Sequence, residues 1–164
     1  MITKRVTVAP YPRRVHPEPH DEVRSASFRD LDTTTLYAIL KLRSDVFVVE
    51  QACAYPDLDG RDTEPGTRHV WLERADEIRA YLRILRDGEH ERIGRVVTAK
   101  TARGAGLAGR LLTTALEIVG NRPSVLSAQT HLTGFYARFG YRPVGPEVLE
   151  DGIPHVPMAR PAGA

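Results

Sequence analysis

The sequence has little of what exported, membrane-spanning or nucleic-acid-binding proteins need. Its 164 residues contain a single cysteine, Cys53, which excludes a disulfide within the chain. No apolar run approaches the roughly 20 residues that cross a bilayer, and the N-terminal stretch lacks the apolar segment of a signal peptide. The formal net charge is only +2, so bulk charge gives no general attraction for nucleic acid. These absences predict a cytoplasmic protein without membrane or nucleic-acid partners.

Residues 1–21 differ in composition from the rest of the chain. Basic residues there accompany four closely spaced prolines: Pro10, Pro12, Pro17 and Pro19. This composition is typical of an extended or disordered tail. Two of these prolines separate His16 from His20, so the histidines cannot share a helical face, and no metal site is predicted. Residues 22–164 are long enough to form one domain with its own core.

The most informative stretch, residues 92–119, predicts a strand, a glycine-rich turn and a helix. Ile93, Val96 and Val97 form a β-branched run typical of a buried strand. Residues 103–109 include three glycines and two alanines, which leave the main chain open to a ligand. Apolar residues then recur at helical spacing until Gly120. A turn at a helix N-terminus favours phosphate, although a glycine-rich turn without a ligand fits this pattern equally well.

Patterns elsewhere in the chain predict alternating strands and helices. Strands are expected at residues 23–28, 69–73, 78–85 and 125–128, and two more between residues 141 and 160. Helical spacing after Asp32 predicts a first helix to about Val49, and a short helix is expected at residues 131–139. Strands followed by single helices in one domain indicate an α/β or α+β fold.

The segment from Glu50 to Glu64 is acidic and rich in turn-forming residues. Its one cation, Arg61, stands among five carboxylates: Glu50, Asp57, Asp59, Asp62 and Glu64. One interpretation is a solvated loop. The other is a negatively lined rim that attracts a cationic amine. The sequence favours neither.

Two motifs resemble those of the GNAT superfamily of N-acetyltransferases. The loop Arg103-Gly104-Ala105-Gly106-Leu107-Ala108 resembles the pyrophosphate loop Arg/Gln-x-x-Gly-x-Gly/Ala. The stretch Phe135-Tyr136-Ala137-Arg138-Phe139-Gly140-Tyr141 resembles the signature Leu-Tyr-x-x-x-Gly-Phe, and Gln129 stands where the superfamily often has asparagine. Longer stretches, including residues 42–51, 55–60 and 150–155, are similar to the ElaA-type branch. The resemblance covers about residues 25–160.

The resemblance implies a single domain with a mixed, mostly antiparallel twisted sheet of six to seven strands, flanked by three to four helices. It also implies acetyl-CoA as cosubstrate. Backbone groups of Val96, Val97 and Thr98 would then line the pantetheine arm and polarise the thioester carbonyl, and Gln129 would bond to the same arm. The pyrophosphate would be held by the loop residues Arg103, Gly104, Ala105, Gly106, Leu107, Ala108 and Gly109. The alternative for Val96, Val97 and Thr98 is an ordinary strand edge with ladder hydrogen bonds. The alternative for Gln129 is that it only caps the short helix.

Tyr136 is the residue that the resemblance implies as general acid. A tyrosine hydroxyl keeps its proton at neutral pH and can donate it to a departing thiolate. Spacing alone favours a core aromatic residue on a helix with Phe135 and Phe139, and only the matched signature favours the catalytic role. The resemblance does not assign a general base, because the position that carries a glutamate in some GNAT enzymes falls near Ser124, which cannot accept a proton. His155 and Glu150 are the named candidates, ahead of His69, His131 and the acidic segment.

The sequence therefore predicts an acetyl-CoA-dependent N-acetyltransferase that transfers the acetyl group directly to a primary amine of a small molecule or peptide. The alternative is a non-catalytic acyl-CoA-binding regulatory module, which the lack of an obvious base favours and Tyr136 disfavours. The sequence does not determine the oligomeric state and allows a homodimer.

Overall fold

Strands and helices alternate along the chain in the predicted order. The computed structural model describes residues 20–163, so the predicted tail lies outside the described residues except for His20 and Asp21. The strands are β1 (Glu22–Ala26), β2 (Arg68–Arg74), β3 (Glu77–Asp87), β4 (His90–Thr98), β5 (Ser124–Gln129), β6 (Arg142–Pro143), β7 (Val148–Glu150) and β8 (Ile153–Arg160). The α-helices are α1 (Thr33–Arg43), α2 (Leu107–Val119) and α3 (Thr133–Ala137).

The fold class is confirmed, with eight strands in one sheet rather than six to seven. The additional strand is β6, whose two residues pair with Ala159 and Met158 of β8. A strand of two residues shows no alternation that a sequence pattern could reveal.

Local chemistry accounts for the bounds of the two long helices. The Asp32 carboxylate accepts hydrogen bonds from the N–H groups of Thr34 and Thr35, both at 2.9 Å, and so caps α1. After Arg43 the chain continues as a π-helical segment, Ser44–Glu50, which extends the predicted first helix to its expected end. α2 ends at Gly120, whose φ of 62° interrupts helical geometry, as predicted.

The order of strands in the sheet is β1-β2-β3-β4-β5-β8-β6, and β7 also pairs with β8. Every adjacent pair is antiparallel except β4 and β5, which are parallel. In the described chain only Glu91 with Ser124 and Arg92 with Val125 join β4 to β5. Both strands continue well past these pairs, so the sheet is split between them.

A β-bulge lies in β4 beside this split. Tyr81 of β3 pairs with Val97, and Arg83 pairs with Gly94. Between these two pairs β3 advances by two residues and β4 by three. The extra residue of β4 therefore lies at the edge of the split. Arg95 lies within the bulge and has a φ of 55°.

Both faces of the sheet are covered. α2 packs on one face, where its apolar side chains join Leu82, Ile84 and other strand residues in the larger core cluster. α1 packs on the other face against Tyr81 and Val97. Successive side chains of β3 therefore point to opposite faces of the sheet, and both faces are buried. Arg83 is buried with Tyr81 on the face that α1 covers.

Candidate active site

The split between β4 and β5 opens into a cavity of about 730 Å³. Residues from both faces of the sheet line it, including Tyr136 from α3 and Phe47 from the segment after α1. Gly94 faces open space, because an added Cβ would meet no atom within 4 Å. The cavity therefore gives access to the β4 backbone where that strand has lost its partner β5.

The glycine-rich turn beside this cavity leaves the N-terminus of α2 open. Gly104 and Gly106 have φ values of 79° and 73°, a conformation that residues other than glycine rarely adopt. Gly106 occupies the N-cap position, and no side chain of the described residues caps this helix. The first N–H groups of α2 consequently lack helical acceptors and can bind an anion.

Arg103 begins the turn and forms a two-point ion pair with Glu50. Its two terminal nitrogens lie 2.7 and 2.9 Å from the carboxylate oxygens, and its Nε donates to the Thr98 carbonyl at 3.4 Å. The hydrogen bond from Arg103 lowers the pKa of Glu50. Both side chains are partly open to solvent, so this guanidinium is available to a ligand at the turn.

Tyr136 reaches the cavity from the α2 face and is only 6% exposed. Its ring packs edge-on against Phe135, with centroids 5.0 Å apart. Burial, together with neighbouring Tyr141, raises the pKa of the Tyr136 hydroxyl to about 12. The hydroxyl is therefore protonated at neutral pH. Tyr136 is both a core aromatic residue and a cavity residue, so the two sequence interpretations do not exclude each other.

His155 lines the cavity from β8, where it pairs in register with Gln129 of β5. Its Nδ1 lies 2.8 Å from the carbonyl oxygen of Ile153. Because a carbonyl only accepts, this bond assigns the proton of the neutral ring to Nδ1 and leaves a lone pair on Nε2. Glu150 also lines the cavity, and its carboxylate accepts a 2.5 Å hydrogen bond from the Ser127 hydroxyl.

The acidic segment is only partly solvated, and all five of its carboxylates pair with arginines. Asp57 and Asp62 are buried, and the Arg43 guanidinium lies 2.9 and 2.8 Å from their carboxylates. Arg83 lies 2.7 Å from Asp59 and 3.0 Å from Asp62. We call these residues, with Arg95, the buried ion network. Glu50 and Asp59 line the cavity, as the rim interpretation expected, but arginines compensate their charges. Neither interpretation anticipated this, because most of these arginines are distant in sequence.

His69 belongs to this network rather than to the reactive groups. Its ring is buried between the Tyr81 hydroxyl, at 2.8 Å, and the Asp62 carbonyl, at 3.1 Å. Burial lowers the pKa of His69 and keeps the ring neutral. These contacts give it a structural role.

The structure brings most of the predicted site residues together. Those that line the cavity are Val96, Val97, Thr98, Arg103, Ala108, Gln129, Tyr136, Glu150 and His155. Outside the lining lie Gly104, Ala105, Gly106, Leu107 and Gly109, which form the turn and the first residues of α2. The Leu107 side chain points into the core, so only its backbone can contact a ligand at the turn.

Several cavity residues were not predicted: Phe47, Cys53, Tyr55, Arg95 and Asp151. Most come from the segment after α1, whose path over the sheet has no periodic signal. Charge in the lining is largely compensated, since Glu50, Asp59 and the arginines all form ion pairs. Among the described charged residues of the lining, only Glu150 and Asp151 lack an ion-pair partner. The remaining charge of the cavity wall is therefore negative.

This architecture is that of the acyl-CoA N-acyltransferases. A crystal structure of an acyl-CoA N-acyltransferase from Pseudomonas aeruginosa superimposes with a TM-score of 0.83 at 40% identity, covering 86% of this chain and 99% of that one. The chain belongs to the GNAT acetyltransferase family, because the model of the acetyltransferase (GNAT) domain matches residues 42–161.

Relatives place the chain in the ElaA-like branch, as predicted. ElaA of Escherichia coli is 44% identical over 138 residues, covering 80% of this chain and 90% of ElaA. Its crystal structure superimposes with a TM-score of 0.82 and covers 86% of this chain and 99% of that one. A UPF0039 protein of Mycobacterium tuberculosis strain H37Rv is 51% identical over 146 residues, or 86% of this chain and 94% of that protein.

Two features are absent from residues 20–163. None of the helices there is both long and apolar enough to cross a membrane. In the same residues, no group of three or more histidine, cysteine, aspartate or glutamate side chains could hold a metal ion.

Proposed function

We propose that this protein transfers an acetyl group from acetyl-CoA directly to a primary amine of a small molecule or peptide. The observation that carries the proposal is the cavity at the split, which reaches Tyr136 on one face of the sheet and His155 on the other. A donor and an acceptor can thus approach the same stretch of β4 from opposite sides. Family membership supports acyl transfer. The proposal adds acetyl-CoA as the donor and a primary amine as the acceptor.

The residues around the split fit acetyl-CoA, which would supply a thioester. The open N–H groups of the turn and the Arg103 guanidinium suit its pyrophosphate. Val96, Val97 and Thr98 present backbone groups where β4 has no β5 partner, so they can bind the pantetheine arm and polarise the thioester carbonyl. Gln129 offers an amide from the facing strand.

Two side chains then handle the protons. We assign Tyr136 as the general acid that protonates the departing thiolate, because its raised pKa keeps the hydroxyl protonated. We assign His155 as the base, because its Nε2 carries the lone pair that can take a proton from the incoming ammonium. Glu150 remains the second base candidate, although the Ser127 hydroxyl already occupies one of its oxygens.

Glu150 and Asp151 also indicate the charge of the acceptor. They are adjacent at the turn between β7 and β8 and supply the uncompensated charge of the cavity wall. Two carboxylates facing a cavity attract cations. We therefore expect an acceptor that carries a second positive charge besides the reacting amine, such as a diamine or a basic peptide.

A thermal-shift titration with acetyl-CoA, followed by an assay of free-thiol release with a panel of amines, tests the proposal. We expect stabilisation that grows with acetyl-CoA concentration and thiol release that depends on an amine. Binding without release from any amine would favour the non-catalytic regulatory module. Absence of binding would contradict the assignment of the glycine-rich turn.

Tyr136→Phe tests the proposed acid. It should lower kcat by about 100-fold and leave the affinity for acetyl-CoA nearly unchanged, since only proton donation is lost. Tyr37→Phe is the matched control, because Tyr37 is 72% exposed and lies outside the cavity lining. Unchanged kcat in Tyr136→Phe would remove this residue as the acid.

A further inference from the structure

Arg95 holds a backbone conformation that needs an explanation. It lies within the β4 bulge with a φ of 55°, in the left-handed region that side chains other than glycine's disfavour. Strained positions of this kind persist only where surrounding contacts determine them, and they cluster at functional sites. The contacts of Arg95 are therefore informative.

The Arg95 side chain is anchored at several points to residues 55–59. Its Nε lies 2.8 Å from a carboxylate oxygen of Asp57, and one terminal nitrogen donates to the Asp57 carbonyl at 3.0 Å. The same nitrogen lies 3.2 Å from Asp59, and the guanidinium lies over the Tyr55 ring, 5.4 Å from its centroid. One residue of the bulge thus contacts three residues of the segment 55–59, of which Tyr55 and Asp59 line the cavity.

The partners of Arg95 are themselves fixed. Arg43 lies 2.9 Å from the other Asp57 oxygen and also donates to the Asp57 carbonyl, at 2.8 Å. Arg83 lies 2.7 Å from Asp59. The Tyr55 hydroxyl donates to Asp57 at 2.9 Å. Arg95 is consequently tied to residues that other side chains already hold in place.

The bulge forms part of the cavity wall. Gly94, Arg95, Val96 and Val97 all line the cavity, and a bulge changes the direction of the backbone groups that follow. Tyr55 and Asp59 line the same cavity. A displacement of Arg95 would therefore affect both the backbone of β4 and the wall beside the acceptor.

We propose that Arg95 is a positioning residue for acetyl transfer, which fastens the β4 bulge to residues 55–59 and so sets the direction of the Val96 and Val97 backbone groups. The inference rests on the proposed function. It separates two roles of one side chain. Through the bulge Arg95 affects the rate of the chemical step, and through Tyr55 and Asp59 it affects binding of the acceptor.

The variants Arg95→Ala and Arg95→Gly separate these roles. Both remove the anchor, but only glycine accepts a positive φ without strain. Arg95→Ala should lower kcat by about 10- to 100-fold, the effect of small misplacements of reacting groups, and Arg95→Gly should recover much of that loss. The KM for the amine should rise alike in both variants. The KM for acetyl-CoA should change by a smaller factor than kcat, because the pyrophosphate still binds at the separate turn and only the pantetheine contacts of Val96 and Val97 are disturbed.

Arg86→Ala is the control, because the Arg86 side chain in β3 is 60% exposed and lies outside the cavity lining. Its partner Glu91 keeps a shorter contact with Arg122, at 3.0 Å. Its kinetic constants should match those of the wild type, and all assays are made well below each variant's Tm. Wild-type kcat in Arg95→Ala, or an equal loss of kcat in both Arg95 variants, would overturn the inference.

Amide hydrogen exchange across residues 94–98 provides a readout that does not depend on turnover. Exchange should be faster in Arg95→Ala than in Arg95→Gly and the wild type, since only the alanine variant has a strained φ without the side-chain anchor that offsets it. If the wild type showed no amine-dependent thiol release, the proposed function would fail, yet this exchange pattern would still support the anchoring. Equal exchange in all three proteins would overturn it.

Discussion

Two sets of arginine–carboxylate pairs lie beside the same cavity and differ in burial and in the number of their contacts. In the buried ion network, the Arg43 side chain is fully buried and contacts two carboxylates and a carbonyl oxygen within 2.9 Å. At the glycine-rich turn, the Arg103 side chain is 44% exposed and pairs with a single carboxylate, Glu50. The two sets contain the same chemical groups.

The comparison shows how an ion pair that supports a fold differs from one that a ligand can replace. Breaking a buried pair leaves a charge without water or a partner, which is very unfavourable. An exposed pair loses little when it opens, because water solvates both groups. We therefore infer that the buried ion network holds the cavity wall, whereas Arg103 can exchange Glu50 for a phosphate.

The largest expected effect comes from removing one charge of the buried ion network. Asp62→Asn leaves Arg43 and Arg83 short of a counter-charge, and we expect it to lower the free energy of unfolding by about 3 kcal/mol or more. Urea unfolding measures this loss. Asp45→Asn is the matched control, because Asp45 pairs with Lys41 on the surface, and it should have little effect. A loss in Asp62→Asn as small as that of the control would contradict the proposed role of the network.

Acid should weaken the same network in wild-type protein. Burial lowers the pKa of His69; it opposes ionisation of Asp62, but hydrogen bonds and charge from Arg43 and Arg83 outweigh it and lower that pKa too. Because both folded-state pKa values lie below the unfolded ones, the unfolded chain binds more protons as pH falls, and stability decreases. The loss should begin below about pH 6.5 from His69 and continue below about pH 4 from Asp62.

Unfolding free energies of wild type and His69→Gln between pH 7 and 5 separate these contributions. Glutamine does not titrate, so the variant should show a flatter pH dependence in this range. Equal slopes in the two proteins would show that His69 does not link folding to protons.

The sequence predicted those parts of the structure that depend on neighbouring residues. α2, the open turn and the stop at Gly120 follow from glycine conformation and helical spacing over a few residues. The motif around Tyr136 predicted a side chain at the cavity, where spacing alone indicated only a core residue.

Features that depend on long-range partners were not predictable. Arg83 and Asp59 are 24 positions apart, and Arg95 and Asp57 are 38 apart. No local pattern selects these partners. The sequence therefore could not predict that arginines bury part of the carboxylate-rich segment. The bulge and the two-residue strand β6 were not predicted for a related reason, since one or two residues give no periodicity.

A smaller effect on KM should distinguish the proposed amine site beside Glu150 and Asp151 from the glycine-rich turn. In a double variant, Glu150→Gln with Asp151→Asn, the KM for a dicationic amine should rise by about fivefold, the effect of a partly exposed ion pair. The KM for acetyl-CoA should stay the same. A neutral-tailed amine serves as the matched substrate and should show little change. An equal rise for both amines would contradict charge recognition and would fit a displaced β7–β8 turn instead.

The smallest expected effect tests the exchangeable pair itself. In Glu50→Gln the Arg103 guanidinium no longer has a carboxylate that competes with phosphate, and a negative charge is removed from beside an anionic ligand. Affinity for CoA should therefore increase by about two- to threefold, and Tm without ligand should hardly change. Calorimetric titration at two salt concentrations gives the measurement.

Salt distinguishes this explanation from one in which Glu50 holds Arg103 in place for the ligand. Competition between charges at the surface is screened, so the gain in Glu50→Gln should shrink at high ionic strength. If Glu50 instead oriented Arg103, the variant would bind CoA more weakly than wild type at both salt concentrations. That result would move the Arg103–Glu50 pair into the same class as the buried ion network, because both would then hold a functional group in position.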